Sequence, residues 1–131
     1  MKILIAEDDL ASRRLIYKFM SKYGQCDITV NGAEAIEAFI ISLEDEEPYD
    51  LVCLDIMMPK VDGLKVLSTI RELEKEKNIK DADRSKVIMM TALNDTRTIT
   101  DSFNSGCEAY AAKPIDLNKL EDVMKKLELI E

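Results

Sequence analysis

The sequence contains no histidine and no tryptophan among its 131 residues. Without an imidazole, the chain cannot form a Ser-His or Cys-His nucleophile pair, a histidine general base or a histidine zinc site. Cysteine is scarce: Cys26, Cys53 and Cys107 are odd in number, widely spaced and set in apolar segments, which predicts reduced thiols with a structural role. Any chemistry therefore depends on carboxylates, hydroxyls and lysines.

Long apolar runs and an excess of positive charge are also missing. The longest apolar stretches, residues 38–41 and 87–90, are far too short to cross a bilayer, and the N-terminus has no signal-peptide pattern. A net charge of −8 without a basic stripe argues against binding nucleic acid by neutralising its phosphates. We therefore expect a cytoplasmic protein with no membrane or nucleic-acid partner.

Glycine and proline are few, at 4 and 3, while 47% of the residues are hydrophobic and 34% are charged. Such a composition can fill a core and differs from that of a disordered chain. A length of 131 residues leaves little room for a second folding unit. We predict one domain over residues 1–131.

Five short apolar runs of strand length alternate with segments in which apolar residues recur every three or four positions. The runs lie at residues 3–6, 27–30, 51–54, 87–90 and 108–111. The helical stripes are clear in four connections; the fourth connection, residues 94–105, has only Ile99 and Phe103 as large apolar residues. That helix is expected either to be thinly packed or to cover a partner-binding face.

Capping residues support these boundaries. Asn31 with Glu34 three positions later resembles a capping box, Asp116 precedes the last helix, and Gly106 follows the fourth. Apolar strands alternating with helices indicate an α/β fold, a doubly wound (βα)5 unit with a five-stranded parallel sheet covered on both faces. Ligands of such sheets bind outside the carboxyl ends of the strands.

Segments that carry polar residues follow four of the predicted strands at that edge. They are Glu7, Asp8 and Asp9 after the first strand, Asp55 after the third, Thr91 and Ala92 after the fourth, and Lys113 with Pro114 after the fifth. Acids brought together at adjacent strand ends repel one another and favour a counter-cation. Mg²⁺ suits such a site, because it uses one or two carboxylates and keeps positions open for phosphate oxygens.

The other groups at this edge fit a phosphoryl group. Lys113 offers a positive charge and Thr91 a hydroxyl donor, and phosphoryl transfer depends mainly on positioning and electrostatic stabilisation. Asp55 can attack as a bare carboxylate and form an acyl phosphate, so the missing histidine is no obstacle. The sequence predicts Asp55 as the nucleophile.

These residues resemble the response-regulator receiver domains of two-component signalling. The run from Asp55 to Gly63, DIMMPKVDG, is similar to the family's phosphoacceptor signature. The pair Glu7-Asp8, the step Thr91-Ala92, Tyr110 and Lys113-Pro114 agree with the family in order and spacing. The resemblance covers the whole chain and implies the flavodoxin-like strand order 2-1-3-4-5, for which the chemotaxis receiver is a standard example.

The resemblance implies a role for each site residue. Asp8, Asp55 and the Met57 backbone carbonyl would ligate Mg²⁺ (or Mn²⁺), with Glu7 acting through water or hydrogen bonds. Because three acids stand in a row, Asp8-Asp9 is an alternative pair; the spacing to Arg13 and Arg14 favours Glu7-Asp8.

On the phosphoryl side, the resemblance gives contacts to Lys113 and to the Ala92 backbone, with a cis Lys113-Pro114 bond. Thr91 and Tyr110 would form the switch pair. The two positions that influence dephosphorylation in the family are Met57 and Leu93, and both are apolar. We expect a long-lived phosphoryl group, because these side chains cannot orient an attacking water.

The partners implied by the resemblance are a sensor histidine kinase or phosphotransfer protein and a downstream protein target or output domain. The signal would leave through the fourth helix, fifth strand and fifth helix, and phosphorylation-dependent homodimerisation is compatible with the family. The chain could be a complete regulator or part of a longer regulator or hybrid kinase. Apart from its own phosphotransfer and autodephosphorylation, it is expected to be a signalling protein, not an enzyme.

Three other functions compete with this interpretation. A degenerate receiver would act as a protein-interaction module without phosphorylation, although all the key side chains are present. A haloacid-dehalogenase-like phosphatase would need a second acid where Met57 stands. A flavodoxin-like electron carrier would need a phosphate-cradling loop after the first strand, where this chain has three acids.

Overall fold

The computed structural model of the protein describes residues 1–92 and 96–131. Within them, five strands alternate with five α-helices, and a short 3-10 helix, Asp81–Asp83, precedes the fourth strand. The strands are β1 (Lys2–Ala6), β2 (Gln25–Thr29), β3 (Leu51–Asp55), β4 (Lys86–Thr91) and β5 (Ala109–Ala112). The helices are α1 (Leu10–Met20), α2 (Gly32–Glu44), α3 (Gly63–Glu76), α4 (Thr96–Asn104) and α5 (Leu117–Lys126).

All paired strands are parallel, and their order across the sheet is β2-β1-β3-β4-β5. The predicted doubly wound, flavodoxin-like order 2-1-3-4-5 is therefore confirmed. No helix of the described ranges has the length and apolarity that crossing a membrane requires.

Two hydrophobic clusters cover the two faces of the sheet. Successive strand residues alternate between them, so that Leu4 joins the cluster beneath α2 and α3 while Ile3 and Ile5 join the one beneath α1 and α5. Because β1, β3 and β4 are buried on both faces, their sequences are nearly continuous apolar runs.

Helix α4 packs more thinly than the other four helices. Of its nine residues, Ser102 alone is buried, and Phe103 is 47% exposed. Thin packing was one of the two expectations for this helix, and it is what the structure has. The predicted start at residue 94 lies outside the described residues.

The predicted bounds were inexact for all five strands: β1, β3 and β4 each extend one residue beyond the prediction at one or both ends, and β2 and β5 are shifted along the chain. β2 begins at Gln25, two residues before the predicted start, because Gln25 and Cys26 pair with Lys2 and Ile3 of β1. Polar residues are tolerated there, since β2 is an edge strand. β5 begins one residue later than predicted. Glu108, just before it, bonds to Val87 through both its backbone N–H, which donates to the Val87 carbonyl at 3.0 Å, and its carboxylate, which accepts the Val87 N–H at 2.7 Å.

The predicted caps are confirmed. Asn31 Oδ1 accepts the Glu34 N–H at 2.9 Å, and Glu34 Oε1 accepts the Val30 N–H at 3.1 Å, one residue before the cap. Asp116 caps α5, and Gly106 ends α4 with a φ of 103°, a conformation that favours glycine.

The charged segment at residues 72–86 is mostly exposed, but one of its acids, Glu74, is buried. Helix α3 continues to Glu76, and Glu74 is 4% exposed. The Glu74 carboxylate accepts hydrogen bonds from Arg71 at 2.7 Å and from the Ser85 N–H at 2.8 Å. Glu74 is thus a buried, hydrogen-bonded charge at the amino edge of the sheet.

Candidate functional site

The carboxyl ends of four strands bring the predicted site residues to one edge of the sheet. Glu7 directly follows β1, Asp55 ends β3, Thr91 ends β4, and Lys113 directly follows β5. Because parallel strands all end at the same edge, these side chains approach one another although they are far apart in sequence.

Glu7, Asp8 and Asp55 form an acidic cluster. Each offers one carboxylate oxygen, and these oxygens all lie within 4.8 Å of one another. Glu7 and Asp55 are buried, at 0% and 4% exposure, whereas Asp8 is exposed to solvent. Three oxygen ligands with one open side suit a hard divalent cation better than a soft metal.

Lys113 supplies the positive charge at this cluster. Its Nζ donates to Glu7 Oε1 and lies 3.3 Å from Asp55 Oδ2. Its backbone N–H donates to the Thr91 carbonyl at 2.9 Å, which fixes the end of β5 to that of β4. The Lys113-Pro114 peptide bond is cis, as predicted.

Burial and close charges shift two pKa values. Desolvation raises the pKa of Glu7, and the neighbouring Asp55 adds to this, against the opposing effect of Lys113. Desolvation alone would lower the pKa of Lys113, but its hydrogen bond to Glu7 and the negative charge of Asp55 outweigh it, so that pKa is raised. Lys113 therefore stays protonated at neutral pH.

Asp9 has a different task from the two acids before it. Its carboxylate accepts the Ser12 N–H at 2.9 Å and caps α1, and this bond is the main reason that its pKa is lowered. The acidic cluster contains Glu7 and Asp8 instead. The geometry thus supports the Glu7-Asp8 register over the alternative Asp8-Asp9.

The segment after Asp55 is held close against the site. At Gly63, the first residue of α3, a Cβ atom would lie 2.2 Å from the Asp55 carbonyl oxygen, so only glycine allows this approach. Met58 is buried and Met57 is 60% exposed, so one methionine packs inward and the other flanks the site. Met57 lines an open groove of about 470 Å³ together with Asp8.

Thr91, Ala92 and Tyr110 lie on the other side of the site. Thr91 is buried at the end of β4, and Ala92 after it is exposed. Tyr110 is partly buried in β5 and lines a groove of about 650 Å³ with Ile99 and Lys113. Leu93, the second position expected to influence dephosphorylation, lies outside the described residues.

One contact at the site was not predicted from the sequence. Arg13 Nη1 donates to the carbonyl oxygens of Glu7 and Asp8, at 3.1 Å each. The spacing of Arg13 from the acids favours Glu7-Asp8 over Asp8-Asp9 as the acidic pair, but it indicates no particular contact of Arg13.

Comparison with known proteins identifies the family. A family model described as the response regulator receiver domain matches residues 3–125. The chain belongs to the response regulator receiver family. Its likeness to receiver structures extends to the fold, and this receiver domain is therefore a component of two-component signalling with a chemotaxis-regulator-like architecture.

Curated relatives include both small and large signalling proteins. Sporulation initiation phosphotransferase F of Bacillus subtilis is 32% identical over 126 residues, covering 95% of this chain and 91% of that protein. Hybrid signal transduction histidine kinase G of Dictyostelium discoideum is 31% identical over 129 residues, covering 96% of this chain but 4% of the kinase. Several hybrid kinases and probable transcriptional regulators are matched over 4% to 55% of their length.

A solved structure carries ligands of the expected kind. The CheX–CheY–BeF3–Mg²⁺ complex from Borrelia burgdorferi matches with a TM-score of 0.82 and 26% identity, covering 100% of this chain and 90% of that chain. Receiver domains bind Mg²⁺ at their acidic pocket and act as signalling phosphoacceptors. In this chain, three carboxylates lie together beside one partly buried lysine.

Proposed function

We propose that this receiver domain accepts a phosphoryl group on Asp55 from a sensor histidine kinase or a histidine phosphotransfer protein, in a reaction that requires Mg²⁺ or Mn²⁺. The observation that carries the proposal is the convergence of Glu7, Asp8 and Asp55 beside Lys113 at the carboxyl edge of the sheet. Packing alone does not call for three acids and a lysine at one edge.

Glu7, Asp8 and Asp55, with the Met57 backbone carbonyl, are the groups that would hold the metal, Glu7 acting through water or hydrogen bonds. When bound, the ion supplies positive charge that stabilises the phosphoryl oxygens. The open face at Asp8 leaves room for these oxygens and for water, which Mg²⁺ retains in such sites.

Asp55 acts as the nucleophile. One of its carboxylate oxygens attacks the phosphorus of a phosphohistidine, the P–N bond breaks, and its electron pair remains on the imidazole nitrogen. The product is an acyl phosphate on Asp55, and no base is needed because a carboxylate oxygen attacks without losing a proton. Lys113, which lies 3.3 Å from Asp55 Oδ2, then contacts a phosphoryl oxygen.

The Thr91 hydroxyl and the Ala92 backbone N–H contribute the remaining phosphoryl contacts. We propose that Thr91 moves toward the phosphoryl group and that the Tyr110 ring turns inward, changing the surface of α4, β5 and α5. Thin packing of α4 supports this, because few contacts oppose its displacement. A downstream protein target, an output domain or a second copy of the chain would read that surface.

Beryllofluoride, which mimics a phosphoryl group, tests the proposal. We expect a protein-bound ¹⁹F resonance that requires both Mg²⁺ and Asp55 and is absent from Asp55→Asn and in EDTA. Absence of the resonance from the wild-type protein with Mg²⁺ would instead favour the degenerate receiver that works without phosphorylation. The single domain over residues 1–131 and the cytoplasmic location remain predictions.

A further inference from the structure

Arg13 connects the first turn of α1 to the segment that carries two of the site acids. Its Nη1 donates to the carbonyl oxygens of Glu7 and Asp8, each at 3.1 Å. Its backbone N–H donates to the Asp9 carbonyl at 2.9 Å, while the Asp9 carboxylate caps the same helix. The turn from β1 into α1 is thus closed by both the backbone and the side chain of one residue.

The two acids depend on this closure to different degrees. Glu7 is fully buried and bonded to Lys113, so its carboxylate is held by its surroundings. Asp8 is exposed, and the direction of its short side chain follows from the backbone that carries it. The guanidinium contact to the Asp8 carbonyl is therefore a restraint on where the Asp8 carboxylate points.

We propose that Arg13 is a positioning residue of the metal site, which increases affinity for Mg²⁺ by orienting Asp8 through the backbone of residues 7 and 8. The inference rests on the proposed function, because it presupposes that the acidic cluster binds a divalent cation. It assigns to Arg13 no contact with the metal or with the phosphoryl group.

Because Arg13 is positively charged, the direction in which metal affinity changes on its removal tests the proposal. A guanidinium close to the acidic cluster repels a cation, so removal of its charge alone would strengthen metal binding. Loss of orientation would weaken it, and removal of groups that orient metal ligands typically costs 10–100-fold in affinity. The two effects thus predict opposite changes for the same substitution.

Mn²⁺ is a suitable probe, because its free concentration can be read by electron paramagnetic resonance and competition with Mg²⁺ gives the affinity for the latter. Arg13→Met keeps a long stem and similar helix propensity but removes the donors and the charge. Arg13→Lys keeps the charge but not the planar fork of donors. Arg14→Met is the matched control, because Arg14 is the adjacent, exposed arginine of the same helix.

We expect Arg13→Met to bind Mn²⁺ about tenfold more weakly than wild type, Arg13→Lys to be intermediate, and Arg14→Met to be unchanged. Equal or tighter Mn²⁺ binding by Arg13→Met would overturn the inference. If urea unfolding then shows lower stability, Arg13 supports the fold and does not orient the metal site. Asp8→Asn should abolish tight binding in the same assay. Failure of the wild type to bind Mn²⁺ at all would overturn the proposed function as well, which separates the two outcomes.

Discussion

The two edges of the sheet both contain buried charge, but they balance it differently. At the amino edge, Arg71 and Arg84 face Glu74 and Glu108, two cations against two anions. At the carboxyl edge, Lys113 pairs with carboxylates of the three-acid cluster, and Arg13 donates to backbone carbonyls beside it, so two cations lie near three anions. The first edge is electrically complete within the chain, and the second has an excess of negative charge.

Hydrogen bonding at the amino edge is correspondingly dense. Arg71 donates to the carbonyls of Ser85 and Gly106, both at 2.9 Å, as well as to Glu74 and Glu108. These bonds join α3 to the segments that enter β4 and β5. A buried charge that is paired and hydrogen-bonded in this way has its desolvation cost offset within the chain, whereas an uncompensated one is available for a ligand.

The largest expected effect is on stability at the amino edge. Arg71→Met should lower the free energy of unfolding by about 3–5 kcal/mol, because Glu74 would remain buried without its cationic partner and Glu108 would keep only Arg84. Urea unfolding measures the loss, with the exposed Lys75→Met on the same helix as the control. A loss below about 1 kcal/mol, typical of a surface pair, would contradict the difference between the edges.

A smaller effect, on kinetics, is expected at the carboxyl edge. The exposed Met57 flanks the site and cannot orient a water molecule, so we predict a long-lived phosphoryl group. Met57→Asn should shorten its half-life about tenfold, below the ~100-fold typical of a positioned general base. Decay of the phosphorylated mass over time measures this, with Met57→Leu as the apolar control.

Two results would contradict that prediction. A wild-type half-life of only seconds would show that Met57 does not shield the acyl phosphate. Equal half-lives for Met57→Asn and Met57→Leu would show that the side chain has no influence. Neither substitution should change stability by more than about 0.5 kcal/mol, because the residue is exposed.

The smallest expected effect is the pH dependence contributed by Glu7. Its folded-state pKa is above the ordinary value of 4.5, chiefly through desolvation, so the folded state holds its proton more tightly. The contribution of protonated Glu7 to the free energy of unfolding is fully present below pH 4.5 and is lost as pH rises through the folded-state pKa. In Glu7→Gln this decrease in stability with rising pH should disappear. Urea unfolding between pH 4 and 7 measures it against wild type, in which the free energy of unfolding should fall by at most about 1.4 kcal/mol per pH unit through Glu7.

An unchanged pH profile in Glu7→Gln would mean that Lys113 fully compensates the Glu7 carboxylate. The carboxyl edge would then resemble the amino edge, and the comparison would fail.

How much the sequence could predict depended on the range of the interactions. β1, β3 and β4 were predictable because burial on both faces makes them apolar throughout. The start of β2 was not, because Gln25 belongs to the strand only through its pairing with Lys2. An edge strand carries a weaker apolar signal than a central one.

In the candidate site, too, some contacts were predictable from the sequence and others were not. Strand ends predicted that Asp55 and Lys113 would meet, since the topology of a parallel sheet brings them together. The bonds from Arg13 to two carbonyls and from Arg71 to Glu108 were not predictable, because backbone carbonyls leave no mark in the sequence and Arg71 is 37 residues from Glu108.

Intact mass after incubation with acetyl phosphate tests the central claim, phosphorylation of Asp55, most directly. The account predicts one added phosphoryl group with Mg²⁺, no addition in EDTA, and no addition to Asp55→Asn. An adduct that persists in Asp55→Asn or in EDTA would contradict it, as would an unmodified wild-type protein that nevertheless binds Mg²⁺.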